Sequence, residues 1–372
     1  MKKNFSSMIG LALLLALVVG GCAQPATPPL ETEGPQPTAP PEATEPAAAT
    51  EPAAEPKVIT SIMWQQFIDL DPAYSFSSEH PALNLIYENL VYMNPPGSDE
   101  MLRPGLATSW EPNEDATEWT FHLREGVTFQ DGEPFNADAV KATFEHYWAA
   151  EGAGCSWIWG AVEEVEVVDD YTVKMKCSYP ASLDIIATST YCGEIISPAV
   201  TGQPKEWFDE ANGFGTGPYM YESYDKGQRL ILTRFDDYWG GWQDNKFDKV
   251  VFEIIEDTVQ MLQTIEMGEA DIMRDIPPDK VEQLRANPNL NVYIDPSYMH
   301  MQFLLNTQKA PLNDPLVRQA LAYSVPYDEV VERGEGIFTQ SRGAVPAFMW
   351  GHCEDCFQYS YDPENAGALL DQ

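Results

Sequence analysis

Positive charge is what this chain most lacks: 21 Lys and Arg stand against 58 Asp and Glu in 372 residues, a formal net charge of −37. Setting aside Lys2, Lys3 and the six glutamates between residues 23 and 56 leaves −33 on the remainder, so the acidity belongs to the body. A surface of that sign repels phosphate backbones and anionic head groups, which excludes nucleic acid as a partner. Histidine is scarcer still. Its five copies, at 80, 122, 146, 300 and 352, include no two at metal-ligand spacing. His-Glu-x-x-His, Gly-x-Ser-x-Gly and a phosphate loop are all missing. The expectation is therefore no resident metal, no cofactor and no catalysis. With 58 acidic residues, chance carboxylate pairs are unavoidable, and the alternative they leave is an extracytoplasmic glycan-processing enzyme. Long apolar runs are also missing: the stretch from Met8 to Val19 holds twelve residues, short of the roughly 20 that span a bilayer.

What is present begins at that short run. Lys2 and Lys3 precede it, and Val19-Gly20-Gly21-Cys22 closes it, so residues 1–22 resemble a bacterial lipoprotein signal with lipid attachment at Cys22. The mature chain is then expected outside the cytoplasm, anchored to the cell membrane. Residues 23–57 follow with ten prolines, many Ala and Thr and almost nothing large and apolar. Such a segment cannot bury enough surface to offset its ordering entropy, and it is predicted to be a disordered, semi-rigid tether.

With Cys22 assigned to lipid, Cys155, Cys177, Cys192, Cys353 and Cys356 remain, an odd number in a compartment that permits disulfides. Cys177 ends an alternating strand and Cys192 lies fifteen residues on, so that pair is one candidate bridge. Cys353-Glu354-Asp355-Cys356 lacks both the strand-to-helix context of a redox motif and a second ligand pair for zinc, which favours a small loop disulfide, with free thiols next.

Along the body the pattern is mixed α and β. Trp119, Phe121 and Leu123 alternate with polar residues, Glu125-Gly126 turns, and Val127 and Phe129 resume, which predicts a hairpin. Asn136 is placed to cap a helix bearing Val140, Phe144, Tyr147 and Trp148 on one face. A second hairpin turns at Asp169-Asp170, strands follow at Arg229–Arg234 and Lys249–Ile255, and a helix with Met261, Leu262 and Ile265 ends at Gly268.

Four blocks in this order carry a family resemblance. They are Leu70-Asp71-Pro72-Ala73 with Tyr87-Glu88-Asn89-Leu90; Leu102 to Trp110 with Phe121 to Val127 and Asp131 to Val140; Gly215-Thr216-Gly217-Pro218-Tyr219 with Asp237-Tyr238-Trp239-Gly240-Gly241; and Leu305-Asn306-Thr307-Gln308 with Pro311 to Leu321. The chain resembles the extracytoplasmic solute-binding proteins of peptide and nickel ABC importers, solute-binding family 5. Gly215 and Gly217 suit a tight backbone turn where a Cβ would clash and Pro218 suits a strand start, while the resemblance implies that Arg103, Trp110 and Trp119 belong to the first lobe's packing.

The resemblance implies an α/β, mixed α+β, periplasmic-binding-protein-like two-lobed clamp. Its first lobe would cover 58–303 and a second, incomplete lobe would begin at 304–372, because Tyr361 to Leu370 resembles the start of a helix midway through that lobe. The chain is accordingly expected to be a fragment, weakly stable and weakly binding, with a non-functional piece as the limiting case. A di- or oligopeptide is the expected solute, with a nickel complex or oligosaccharide as alternatives, a membrane permease the expected partner, and a monomer the expected state. Family likeness places the first-lobe ligand wall at Phe76, Ser77 and Ser78, at Trp157 and Trp159, and at Tyr191. Trp157 is the leading contact.

Overall fold

The computed structural model describes residues 55–76, 78–150, 154–243 and 246–372. The lipoprotein signal, Cys22, Ser77 and nearly all of the tether lie outside them. The described residues fall in the second of two compact units, Ala54–Gln372. Among the described residues no helix is long and apolar enough to cross a membrane.

Two sheets organise the second unit. The larger has five strands in the order Tyr219–Asp225, Arg229–Arg234, Lys249–Ile254, Val58–Met63 and Ile272–Met273. Its first three strands are antiparallel neighbours, while Val58–Met63 runs parallel to both Lys249–Ile254 and Ile272–Met273. The smaller sheet is an antiparallel set ordered Ala107–Pro112, Glu118–Leu123, Thr172–Cys177 and Val162–Asp169. Period-two alternation explains its inner face: Trp119, Phe121, Leu123, Val173, Met175 and Val165 are buried while their neighbours are more exposed.

Helices cover these faces where the caps dictate. Asn136 Oδ1 accepts the Ala139 N–H at 3.0 Å and starts the helix Ala137–Ala149, which buries Val140, Phe144 and Tyr147 against the smaller sheet and leaves Trp148 half-buried beside them. Asp257 caps Thr258–Met267 in the same way. That helix packs Met261, Leu262 and Ile265 against Ile62 and stops at Gly268, whose φ of 74° suits a residue without Cβ.

Two expectations are corrected. The segment Val127–Phe129 does not pair with Glu118–Leu123, which lies between Ala107–Pro112 and Thr172–Cys177. Instead Phe129 N–H bonds Glu133 O and Phe135 N–H bonds Val127 O, a tight loop around Gly132 that drives Val127 and Phe129 into the core. Their alternation reflects insertion from a turn; a ladder of the same spacing would look identical in sequence. The second correction concerns Cys177, which is free: strand register sets it opposite Val162, with its N–H on Thr117 O. Cys192 is joined to Cys155 instead, and Cys353 to Cys356.

The family motifs interlock. Glu88 is buried, and its carboxylate accepts from Trp239 Nε1 at 2.6 Å, Thr216 Oγ1 at 2.9 Å and the Tyr238 hydroxyl at 3.0 Å. Burial pushes its pKa up, and these three bonds pull against that rise. Arg124 stacks over the Trp239 ring at 4.4 Å. Gly215 and Gly217 lie so close to the Leu85 and Ile86 carbonyls that a Cβ would overlap them, while Gln130 Nε2 donates to the carbonyls of Ile86, Gly217 and Tyr219. Arg103 sits over Tyr92 at 4.3 Å, and Trp110 and Trp119 pack in the smaller sheet's core. These motifs are scaffold.

Between Arg285 and Pro315 no helix or strand is assigned, and Tyr293, Met299, Met301, Phe303 and Leu304 are exposed there. The expected lobe boundary at 303/304 falls within this stretch.

Candidate ligand-binding site

Three segments far apart in sequence bring aromatic rings together at one surface. The turn Asp71-Pro72-Ala73 hands the chain to Phe76; a short 3-10 helix, Ser156–Trp159, carries Trp157; and the loop before Glu194–Ile195 carries Tyr191. Phe76 stacks on Tyr191 with centroids 4.5 Å apart and planes 23° from parallel, and Trp157 stands 6.2 Å from Phe76. Phe76 is 50% exposed and Trp157 68%. Apolar rings left this open form a concerted patch on which an apolar or planar group can lie.

The expected wall residues divide. Phe76, Trp157 and Tyr191 come together. Ser78 is half-buried, its hydroxyl donating to Gln66 O at 3.0 Å. Trp159 does not join the surface: it is 2% exposed, packs edge-on against Phe144 and donates Nε1–H to Cys192 O at 2.6 Å. Two residues along a 3-10 turn rotate a side chain to another face, which puts one tryptophan outside and its neighbour in the core.

Beneath the rings lies a polar layer that sequence inspection missed. His80 meets the Tyr191 ring edge-on at 4.4 Å, and its Nδ1 stands 3.7 Å from Glu194 Oε1, too far for a direct hydrogen bond. Both atoms are buried without a hydrogen-bond partner. Full burial raises the Glu194 pKa, opposed by His80 and the Gly193 N–H. A signal was available: a glutamate inside the apolar run Cys192-Gly193-Glu194-Ile195-Ile196 marks a buried acid. Deeper still, His146 Nε2 meets Asp71 Oδ1 at 2.9 Å and its Nδ1 meets Thr201 O at 2.8 Å, tying the Leu-Asp-Pro turn to the long helix.

Nothing here assembles a metal centre, since no cluster of three or more His, Cys, Asp or Glu among the described residues has that geometry. The site is a half-open aromatic face over a buried polar layer.

Residues 101–372 match the family described as bacterial extracellular solute-binding proteins, family 5, middle region. The chain belongs to this family. It is 31% identical over 315 residues to the probable D,D-dipeptide-binding periplasmic protein DdpA of Escherichia coli K12, covering 82% of this chain and 60% of that one. It is likewise 31% identical over 300 residues to the dipeptide-binding protein of the same organism, covering 74% and 55%. Among solved structures, the DppA periplasmic binding protein of Helicobacter pylori, in complex with the peptide STSA, superposes with a TM-score of 0.69 at 27% identity, covering 84% of this chain and 65% of that one. The chain thus spans about 60% of the length of the curated relatives it matches.

Proposed function

We propose that this protein is the solute-capturing component of an ABC importer, held at the outer face of a cell membrane by a lipid on Cys22. The solute is a di- or oligopeptide with an apolar or aromatic side chain. One observation carries this: Phe76, Tyr191 and Trp157 converge on an open aromatic face in a chain similar to dipeptide-binding proteins. Side-chain stacking on the rings supplies affinity, and backbone hydrogen bonds fix the peptide's direction. Transport then follows from closure of two lobes around the solute, a shift of population whose extent is set by how much better the closed form binds. The closed form docks on a membrane permease. The protein acts as a monomer.

Titration of the 372-residue chain with Ala-Phe and Ala-Phe-Ala-Phe, with a nickel–histidine complex and with cello-oligosaccharides, followed by tryptophan emission, tests the assignment. A saturable response to the peptides alone is expected. Saturation by the nickel complex or the oligosaccharide, with none by peptide, would replace it.

A further inference from the structure

The three wall segments meet at one covalent bond. Cys155 and Cys192 are joined, and both are fully buried. Cys155 lies two residues before Trp157, and Cys192 directly follows Tyr191. The turn that leads to Phe76 is fastened to the same point: Cys155 N–H donates to Ala73 O at 3.1 Å, and the Cys155 sulfur rests 3.3 Å from Pro72 O. The packing leaves no slack, since a Cβ on Gly154 would overlap Ala73 O and one on Gly193 would overlap Ser189 O. Cys192 itself holds a φ of 53°, a conformation L side chains adopt unwillingly, so something outside the local backbone must hold it there. The bond to Cys155 and the hydrogen bond from Trp159 Nε1 to its carbonyl both restrain it.

The geometry points to Cys155 and Cys192 as positioning residues of the ligand wall: their disulfide holds Trp157 and Tyr191 in register with Phe76. Their service to a peptide rests on the function proposed above. A disulfide with a separation of 37 residues also restricts the unfolded chain, so a general stabilising role has to be told apart from a local one. Cys353–Cys356 offers the contrast, because it spans a separation of 3 and carries no wall residue.

The test labels the ten tryptophans of the full chain with 5-fluorotryptophan, assigns signals through Trp157→Phe and Trp159→Phe, and compares ¹⁹F spectra of wild type, C155A/C192A and C353A/C356A. In C155A/C192A the Trp157 and Trp159 signals are expected to move, while those of Trp207 and Trp242, which pack against the other core, stay in place. C353A/C356A leaves Trp157 and Trp159 unmoved. Titration with Ala-Phe is then expected to be at least about tenfold weaker for C155A/C192A, because a wall no longer preorganised must be ordered by the ligand. Unmoved Trp157 and Trp159 signals in C155A/C192A overturn the positioning role, and so does collapse of all ten signals together, which marks a general staple. Moved signals with unchanged Ala-Phe affinity support the positioning and overturn the assignment of the wall to peptide.

Discussion

Replacing Trp157 and Trp159 by alanine, one at a time, should give very unequal losses of stability although the two residues are separated by a single position. Trp157 is 68% exposed, so about a third of its surface is covered. An aromatic side chain buries up to about 250 Å², which puts the covered part near 80 Å² and its contribution near 2 kcal/mol at about 25 cal/mol/Å². That figure is an upper bound, since the unfolded chain already covers some surface and alanine retains its Cβ, so about 1 kcal/mol is the expected loss of stability. Trp159 is 2% exposed. Its removal opens a cavity worth about 3–5 kcal/mol, and the lost hydrogen bond to Cys192 O adds about 1 kcal/mol. Urea unfolding followed by far-UV circular dichroism measures both. Trp159→Ala should lower the midpoint several times more than Trp157→Ala. Equal losses, or a larger loss at Trp157, would refute the division of the two tryptophans between core and surface.

Other outcomes follow from the same structure. Cys22→Ser is expected to leave the protein unprocessed or released, and membrane fractionation with mass analysis of the N-terminal peptide checks it; an unmodified, fully aqueous wild type would contradict the anchor. Gly215→Ala places a Cβ against the Ile86 carbonyl and should destabilise by about 1–3 kcal/mol, read as a lowered urea midpoint; a neutral substitution would mean the contact between Gly215 and Ile86 is slack. Burial works against a charged His146 ring, but the hydrogen bond and charge of Asp71 and the Thr201 carbonyl outweigh it and raise its pKa. A raised value in the folded state gives stability fully present below the unfolded value of about 6.5 and lost as pH rises through the folded one. The stability difference between wild type and His146→Gln should therefore be largest at acidic pH and shrink toward pH 8, and a difference that grows with pH would contradict the His146–Asp71 pairing.

Much of the scaffold was legible because local chemistry and tertiary context agree there. Asn136 caps its helix, Gly268 ends another, the turn at Asp169-Asp170 joins two paired strands, and Arg229–Arg234 is a strand over the range expected. Expectation failed where partners come from far away. Val127 and Phe129 alternate like a strand but enter the core from a turn, and nothing in spacing distinguishes Cys155 from Cys177 as the partner of Cys192, because that choice depends on where the Asp71-Pro72-Ala73 turn lies. Likeness to the family named Phe76, Trp157 and Tyr191, whose rings meet, whereas the burial of Trp159 and the His80–Glu194 layer needed coordinates, since the period of a short 3-10 turn and the depth of a loop are not written in any local pattern.

The central claim is that Phe76, Tyr191 and Trp157 hold a peptide, and calorimetric titration of Ala-Phe into wild type and Trp157→Ala tests it most directly. Saturable binding to wild type is predicted, about thirtyfold weaker in Trp157→Ala, equivalent to about 2 kcal/mol, while that variant's urea midpoint shifts only slightly. The same dissociation constant in both proteins would contradict it.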